Sequence, residues 1–334
     1  MNSVYLSARQ TYKFFSMDYS YSRILFNPIL FNNKISPRGG NSIDQNKDLS
    51  FIKSFSEAAE RRVVMNPTVN YNKKYTAFDL ITKSTKIVLG YTVGYNQEKD
   101  STGTATHIDA YQAIIHSVGE LIEKNALLRM WYRYDVINVS DLGWRPLNDT
   151  KTIFLVNNYF IPYYVVLSAK KDKLNYWHCG LGFSINSLNK AKKAAFEEMQ
   201  LIWFQNNIDK LNPNSPIQFN NDMSVYWNWT DEQKQHMNTI VNMKNKNSFL
   251  FNNTNELKNI EELGKKLSDS FKHIYIVYLR DFLFKEPLVT IRSFSNELIS
   301  CVPKKEVLMK LINEQDINFI DIQDINDSVD CPIV

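Results

Sequence analysis

Several signatures that would assign a function directly are missing from this 334-residue sequence. It contains no G-x-x-x-x-G-K-[ST] phosphate-binding loop, and the pair Gly180 and Gly182 lacks the third glycine of a dinucleotide fingerprint. There is no G-x-S-x-G nucleophile elbow and no H-E-x-x-H metal motif. These absences argue against a P-loop, Rossmann, esterase-type or zincin-type site.

Cysteine, glycine and proline are also scarce. The three cysteines are odd in number, lie far apart and fit no zinc spacing, which is typical of buried thiols in a reducing compartment. Ten glycines and ten prolines exclude a low-complexity or fibrous protein. No apolar run approaches the length of a membrane span, and the first residues lack the apolar segment of a signal peptide. We therefore expect a cytoplasmic protein that does not contact the membrane.

The composition instead predicts a globular protein with a substantial core. Apolar residues make up 44% of the chain and aromatic residues 13%. The net charge of +4 is small and spread along the chain, so nothing points to a nucleic-acid partner. No stretch has the composition of a linker between independent domains. We therefore predict one α+β body spanning residues 1–334.

The most informative stretch runs from Asp100 to Tyr134. A small, polar segment, residues 100–106, is followed by more than twenty residues with a helical pattern. Glu120 and Glu123 are three residues apart and therefore neighbours on the helix, opposite an apolar stripe. That stripe consists of Tyr111, Ile114, Ile115, Val118 and Ile122. Because the acidic side also carries Leu127, Trp131 and Tyr134, we expect it to face protein or a cleft.

The same pattern recurs twice. A helix around residues 54–62 is predicted to turn Ile52, Phe55, Ala59 and Val63 inward, and a helix over residues 188–205 to turn Leu188, Ala191, Ala195, Met199 and Ile202 inward. The polar pairs behind the three stripes are Glu57 and Glu60, Glu120 and Glu123, and Glu197 and Gln200. A single pair of this kind is most often a solvated helix face. Three in similar settings indicate a shared site.

A shared carboxylate site suits a divalent cation. Mg²⁺ takes oxygen ligands and commonly bridges carboxylates to phosphates. The Ser101 hydroxyl is suited to hydrogen-bond a phosphate, and Arg61 and Lys124 to neutralise one. The residues alone therefore favour a magnesium–nucleotide site outside the P-loop class.

Four motifs, in this order, resemble the signature of the YcaO family, and the third of them consists of three pieces. The basic-Gly turn is Arg38-Gly39-Gly40, and Ser56–Arg61 resembles the first acidic motif. Asp100–Ala105, Asp109-Ala110 and Glu120–Ala126 resemble the central S-N-G-x-A, acidic-Ala and E-x-I-E-R-D-A signature, and Glu197–Gln200 resembles E-x-x-Q. The resemblance covers about residues 36–205 and leaves 206–334 as the C-terminal part of the same body.

The resemblance implies an α+β YcaO-type fold in which β-sheets pack against helices that carry the acidic ATP and magnesium motifs. From the residue pattern we also predict strands over 75–95, 273–280 and 287–294, and a pair of strands over 152–157 and 161–169. Two strand-and-acidic-helix units, 85–131 and 161–205, suggest an internal duplication. By resemblance, ATP would be bound by Glu57, Glu60, Arg61, Ser101, Glu120, Glu123, Lys124, Glu197 and Gln200. The magnesium ligands among them would be Glu57, Glu60, Glu120, Glu123 and Glu197.

The resemblance also implies a reaction and partners. YcaO cyclodehydratases of bacteriocin (thiazole/oxazole-modified microcin) pathways use ATP to activate backbone amides of a ribosomally made precursor peptide. Cys, Ser or Thr residues of that peptide become thiazoline or oxazoline rings. The length resembles stand-alone subunits, which depend on a ThiF-like partner for leader binding and often on a flavin-dependent dehydrogenase.

Two alternatives remain open at this point. A YcaO enzyme can instead form a thioamide or amidine, in which an external sulfide or amine attacks the amide. A degenerate, non-catalytic scaffold subunit is also compatible, because Thr102, Lys124 and Asn125 stand where the family usually has Asn, Arg and Asp. The Pro-rich tail of many cyclodehydratases is reduced here to the single proline Pro332.

Overall fold

A computed structural model describes the chain over residues 6–14, 17–26, 30–31, 34–35, 39–94, 100–139, 152–157, 159–172, 175–185, 187–211, 229–243, 257, 259–280, 288–301 and 303–333. In chain order the elements are β1 (Leu6–Phe14), β2 (Met17–Leu25), β3 (Leu30–Phe31), β4 (Lys34–Ile35), β5 (Gly39–Asp44), α1 (Lys47–Val63), α2 (Met65–Val69), β6 (Lys74–Asp79), β7 (Thr85–Leu89), α3 (Gly90–Val93), β8 (Thr104–His107), α4 (Ala110–Arg133), β9 (Ile137–Asn138), β10 (Ile153–Asn157), β11 (Tyr163–Lys171), β12 (Trp177–Ile185), α5 (Leu188–Leu211), α6 (Asp231–Asn242), α7 (Ile260–Leu267), β13 (Tyr275–Leu279), β14 (Val289–Phe294), α8 (Lys305–Glu314) and α9 (Ile322–Asn326).

The strands of the described chain form three antiparallel sheets and a short hairpin of β3 and β4. The strand orders are β1-β2-β5, β7-β6-β13-β14-β8 and β12-β11-β10-β9. Strands β13 and β14 come from the C-terminal part of the chain and lie between β6 and β8, so the second sheet joins residues from both parts. The predicted α+β class is confirmed.

Helix α4 packs on β14 and β8. Asp109 caps its N-terminus by accepting a hydrogen bond from the amide of Gln112, and the helix ends where Tyr134 adopts a left-handed conformation with φ 57°. The inward residues Ile114, Val118 and Ile122 are buried, and so are Leu127 and Trp131 behind them. The prediction that the acidic side of this helix faces protein is confirmed.

Helices α1 and α5 approach their strands very closely because glycines face them. A Cβ atom on Gly40 of β5 would lie 2.0 Å from the carbonyl oxygen of Ser54 in α1. A Cβ atom on Gly180 of β12 would lie 2.0 Å from the amide nitrogen of Met199 in α5. The glycine pair that failed as a nucleotide fingerprint therefore lets α5 approach the sheet.

The predicted inward stripe of α1 is partly wrong. Ile52 is 55% exposed, whereas the buried face includes the small residues Ser50, Ser54 and Ala58. Small side chains face β5 because the helix backbone comes so near the strand. Phe55 packs instead against Phe26, with ring centroids 5.5 Å apart.

Two local predictions also change. The polar segment 100–106 becomes a strand, β8, from Thr104 onward. The run 90–93, predicted as strand, is the short helix α3. Within the described residues, none of the helices combines the length and apolarity that crossing a bilayer requires.

Three predictions are left as they stood. Arg38, in the basic-Gly turn, lies outside the described residues. The single body over 1–334 and the internal duplication remain predictions.

Candidate functional site

The pair on α1 is tied to strand β5. Glu57 accepts a hydrogen bond from the backbone amide of Asn41 at 2.5 Å and forms an ion pair with Arg61 at 2.5 Å. Arg61 also donates to the carbonyl oxygen of Gly39 at 2.8 Å. These bonds hold α1 and the start of β5 in one arrangement.

Glu60, one turn further along α1, reaches strand β8. Its carboxylate accepts the backbone amide of Thr106 at 2.9 Å. Burial, and then the negative charge of Glu120, raise the pKa of Glu60 well above its usual value. Glu60 of α1 and Glu120 of α4 therefore lie close enough for their charges to repel each other.

Glu120 is hydrogen-bonded to the polar segment that precedes α4. One of its carboxylate oxygens accepts the amides of Gly103 and Thr104, each at 3.1 Å. Gly103 adopts φ 81°, a left-handed conformation that favours glycine. Burial raises the pKa of Glu120 to about 8, although Lys124 opposes the shift. Ser101 lies partly exposed in the same turn, so the turn, Glu120 and Lys124 form one group.

Glu123 is the more buried member of the α4 pair, with 8% of its surface exposed. Burial raises the pKa of its carboxyl to about 7, Lys124 opposes this, and Glu198 adds to it. The Lys124 charge acts on Glu120, Glu123 and Glu198 together. Lys124 is thus the cation common to this side of the site.

Glu197, the acidic member of the α5 pair, contacts a different cation. Glu197 is 7% exposed, and one of its oxygens lies 2.8 Å from the Lys53 ammonium. Lys193 lies 3.6 Å from the other oxygen. Gln200 is fully buried, and its amide oxygen and nitrogen find no hydrogen-bond partner among the described residues. Two polar atoms without partners in a buried position are costly for a purely structural role.

Sequence reasoning missed Glu198. Burial, and then the charge of Glu57, raise the pKa of Glu198, and its carboxylate also interacts with Glu123 and Lys124. It is therefore Glu198 that links α5 electrostatically to the α1 and α4 pairs, while Glu197 forms an ion pair with Lys53. The E-x-x-Q spacing pointed to the neighbouring residue, and only the doubled acid at 197–198 signals Glu198 in the sequence.

Arg292 was also missed, because it lies on β14, far from the motifs. Arg292 is 1% exposed, and its guanidinium donates to the Thr104 hydroxyl and to the Asp100 carbonyl oxygen, both at 2.8 Å. Ser117 and Ser293 bond the carbonyl oxygen of Gly103 at 2.7 and 3.2 Å. These hydrogen bonds hold the backbone of the turn in place, so the amides that bond Glu120 keep their positions.

Asn125 stands where the YcaO family usually has Asp, and its hydrogen bonds explain why an amide side chain is found at this position. Its side chain donates to the carbonyl oxygens of Leu121 and Ile299 at 2.7 and 2.9 Å, and it accepts the amide of Ile299 at 2.8 Å. An ionised Asp has no proton to donate to two carbonyl oxygens. Asn125 therefore anchors the chain at 299 to α4.

The C-terminal segment lies near the C-terminal end of α4, at Tyr132. The backbone amide of Cys331 bonds the Tyr132 hydroxyl at 3.3 Å, and Pro332 is buried. Burial raises the pKa of the Cys331 thiol, and Lys124 acts against that shift. The segment thus lies within electrostatic range of the site cation.

The residues present fit a magnesium–nucleotide ligand. Four carboxyl groups with raised pKa values, Glu60, Glu120, Glu123 and Glu198, would each be favoured in the ionised form by a nearby cation. Over the described ranges, no three acidic, histidine or cysteine side chains are grouped as a complete metal cage. Mg²⁺ ordinarily takes one or two carboxylates and completes its shell with water and phosphate oxygens.

Known proteins were compared at the level of sequence and of structure. No family model matches the sequence, and no curated protein matches it. A chain of the E. coli microcin synthetase McbBCD complex has a TM-score of 0.65 at 12% identity, over 91% of this chain and 93% of that one. YcaO from Methanopyrus kandleri, bound with AMPPCP and Mg²⁺, has a TM-score of 0.60 at 10% identity, over 87% and 85%.

A third solved structure, a heterocyclase in complex with substrate and cofactor, has a TM-score of 0.61 at 13% identity. The match covers 88% of this chain and 49% of the heterocyclase. Identities this low carry the fold rather than the activity. The resemblance found in the sequence is confirmed at that level: this chain has the fold of the YcaO proteins.

Proposed function

We propose that the protein is the YcaO subunit of a synthetase that uses ATP to activate backbone amides of a ribosomally made precursor peptide. Its products would be thiazoline or oxazoline rings made from Cys, Ser or Thr. The observation that carries the proposal is the interaction of carboxyl groups from three helices: Glu60 of α1 with Glu120 of α4, and Glu198 of α5 with Glu57 of α1 and Glu123 of α4. Lys124 lies among the α4 and α5 carboxyls, and Glu120 accepts the amides of the Ser101–Thr104 turn. Like charges in one buried place are unfavourable unless a cation joins them.

The proposed chemistry conserves atoms and electrons. A side-chain thiol or hydroxyl of the peptide adds to the preceding carbonyl carbon, and the carbonyl oxygen takes the γ-phosphoryl group of ATP, leaving ADP. The attacking thiol or hydroxyl gives up its proton in the addition. Phosphate then departs with the former carbonyl oxygen and the amide nitrogen loses its proton, so that a new C=N bond forms in the ring. Mg²⁺, when bound, would neutralise the charge of the transferring phosphoryl group.

The chain's own residues hold and orient the reactants. Glu57, Glu60, Glu120, Glu123 and Glu197 would supply magnesium ligands, and Gln200 would use its free amide toward the nucleotide. Ser101 would donate to a phosphate oxygen, while Arg61 and Lys124 would balance its charge. Arg292 keeps the turn rigid, so that these groups need little rearrangement when the nucleotide arrives.

Partners follow from the same proposal. The McbBCD structure with pro-MccB17 bound shows a precursor and partner proteins for that synthetase. For this chain we propose a ThiF-like partner that binds the leader peptide, and a flavin-dependent dehydrogenase that oxidises the rings. A cytoplasmic location is part of the proposal, because precursor, ATP and partners would meet there.

The scaffold alternative loses one of its arguments. Asn125 departs from the family pattern, but its three hydrogen bonds give that change a structural reason. The acidic residues on all three helices are retained. A subunit that no longer bound ATP would not need four neighbouring carboxyl groups whose pKa values burial and mutual repulsion raise.

The test combines the chain, a ThiF-like partner encoded nearby and a leader-containing precursor with ATP and Mg²⁺. Mass spectrometry should show the loss of one water per ring and the release of ADP and phosphate. Exchange of oxygen for sulfur would assign the thioamide alternative. An unmodified precursor, together with no thermal stabilisation of the chain by Mg²⁺–ATP, would refute the proposal in favour of a scaffold.

A further inference from the structure

A cation from outside the family motifs joins α1 to β5 and α5. The Lys53 ammonium lies 2.7 Å from a carboxylate oxygen of Asp44 and 2.8 Å from one of Glu197. Lys53 is one turn before Glu57 on α1, and Asp44 is the last residue of β5. This bridge connects the first acidic helix to the third by a direct ion pair.

The two carboxylates of the bridge are buried, whereas the lysine is not. The Asp44 and Glu197 side chains are 4% and 10% exposed, and the Lys53 side chain is 46% exposed. Burial lowers the pKa of Lys53, but Glu197 and Asp44 outweigh it and raise that pKa overall. The bridge therefore keeps a charged ammonium at the edge of the site.

The bridge satisfies only one of the polar side-chain atoms of Glu197 and Gln200. The second oxygen of Glu197 and both polar atoms of the Gln200 amide find no hydrogen-bond partner among the described residues. Lys193 is too far from that oxygen for a hydrogen bond, at 3.6 Å, and is half exposed. A fixed structural brace would be expected to satisfy these buried atoms.

We infer that Lys53 is an exchangeable counter-ion of the site: it neutralises Glu197 while no nucleotide is bound, and it releases Glu197 to the incoming magnesium–nucleotide while keeping Asp44. This inference rests on the proposed function and concerns the regulation of the same site. Lys53 is then a positioning residue, since it acts through Glu197.

The arrangement makes such an exchange physically reasonable. Lys53 has two acceptors, so the loss of Glu197 leaves its ammonium bonded to Asp44 and in contact with water. A lysine side chain is flexible and its ammonium forms single-point bonds, so it gives up one partner more easily than an arginine fork does. Without Lys53, the buried charges of Asp44 and Glu197 would repel each other in the empty protein.

The test measures melting temperatures of the full chain without metal, with Mg²⁺ alone and with saturating Mg²⁺ and a non-hydrolysable ATP analogue. We expect Lys53→Met to lower the melting temperature by about 3 °C or more without ligand. With the analogue this deficit should fall by at least half, because Glu197 no longer depends on the lysine. Lys193→Met is the matched control: it removes a cation from the same carboxylate without breaking the bridge, and its deficit should be small in all conditions.

The outcomes separate this inference from the proposed function. If the parent protein gains no stability from the analogue, the proposed function and the exchange both fail. If the parent gains stability but the Lys53→Met deficit stays constant or grows, only the exchange fails and Lys53 is a fixed brace.

Lys53→Arg covers the case in which Lys53→Met does not fold. The variant keeps the charge and should keep the ligand-free stability, but its fork should hold Glu197 more firmly. We expect its Kd for the magnesium–analogue complex, measured by calorimetry, to rise severalfold over that of the parent. An unchanged Kd would contradict the exchange.

Discussion

Buried carboxylates in two regions of this molecule behave in opposite ways. Asp79, at the end of β6, is fully buried and accepts hydrogen bonds from His273 at 2.6 Å, Thr82 at 2.7 Å and the amide of Ile81 at 3.0 Å. Burial alone would raise its pKa, but these bonds outweigh it and hold the pKa of Asp79 below its usual value. Glu123 is also buried, yet its pKa rises to about 7.

The difference lies in the donors that surround each group. Asp79 has a full set of partners and connects β6 to the chain before β13, so its charge serves the fold. Among the described residues, Glu120 and Glu123 accept fewer hydrogen bonds than Asp79 does, and acidic neighbours raise the pKa of both. A buried acid supplied with donors is structural, and one left short of them is poised for a ligand.

The sharpest way to break this comparison is to remove the charges of the site. In the Glu120→Gln/Glu123→Gln double variant we expect turnover of the reconstituted synthetase to fall by about a hundredfold or more, because magnesium and phosphate lose their counter-charges. The free energy of unfolding should stay the same or rise, since like charges are relieved. Parallel measurements of turnover and of urea unfolding check both parts; normal turnover would defeat the assignment.

Asp79→Ala should do the reverse. Loss of this carboxylate leaves the Ile81 amide and the Thr82 hydroxyl without their acceptor and frees His273. We expect the free energy of unfolding to fall by about 2–4 kcal/mol, with turnover per folded molecule nearly unchanged. Urea titration, with activity normalised to the folded fraction, tests this. If the variant were as stable as the parent, the hydrogen bonds to Asp79 would not be stabilising the fold, and the comparison would fail.

A smaller effect is expected on the apolar side of the same helix as Glu120. Val118 is fully buried, so Val118→Ala should cost about 1–3 kcal/mol of stability through lost burial. ATP affinity in the folded fraction should not change. Calorimetric binding at a temperature where the variant is folded gives the comparison, and a large loss of affinity would mean that the two faces of α4 are not independent.

Much of this architecture could be predicted from the sequence because it follows periodic patterns. The three helices, the hairpin of β10 and β11, and strands β13 and β14 all rest on apolar spacing and turn residues, and the structure contains each of them. Strand β8 was missed because a short, polar segment has no such pattern. It becomes a strand by pairing with β14, about 185 residues later in the chain.

The candidate site divides in the same way. The acidic pairs on α1 and α4 were found by their i,i+3 spacing and by family resemblance, and their role in the site remains a prediction. Arg292, Lys53 and Glu198 were not found, because their roles come from contacts over long sequence separations. Lys53 and Glu197, for example, are 144 residues apart. No local pattern encodes such a pairing.

The smallest expected effect is a dependence on pH that only the site carboxyls would produce. An ordinary Glu ionises near pH 4.5, whereas burial raises the pKa of Glu123 to about 7 and of Glu120 to about 8. In that window the folded protein binds more protons than the unfolded chain, so these two groups stabilise the fold fully below pH 4.5. Their contribution is lost as pH rises through 7 to 8.

Magnesium competes with those protons, so its binding should strengthen over the same range. We therefore expect the melting-temperature gain from Mg²⁺ and a non-hydrolysable ATP analogue to be larger at pH 8.5 than at pH 6. The Glu120→Gln/Glu123→Gln variant should show a much smaller pH dependence, with Glu60 and Glu198 as its remaining source. Asp79→Ala should keep the full dependence, because the pKa of Asp79 is lowered rather than raised. An equal gain at both pH values in the parent would show that these two carboxyls are not the groups that the ligand meets.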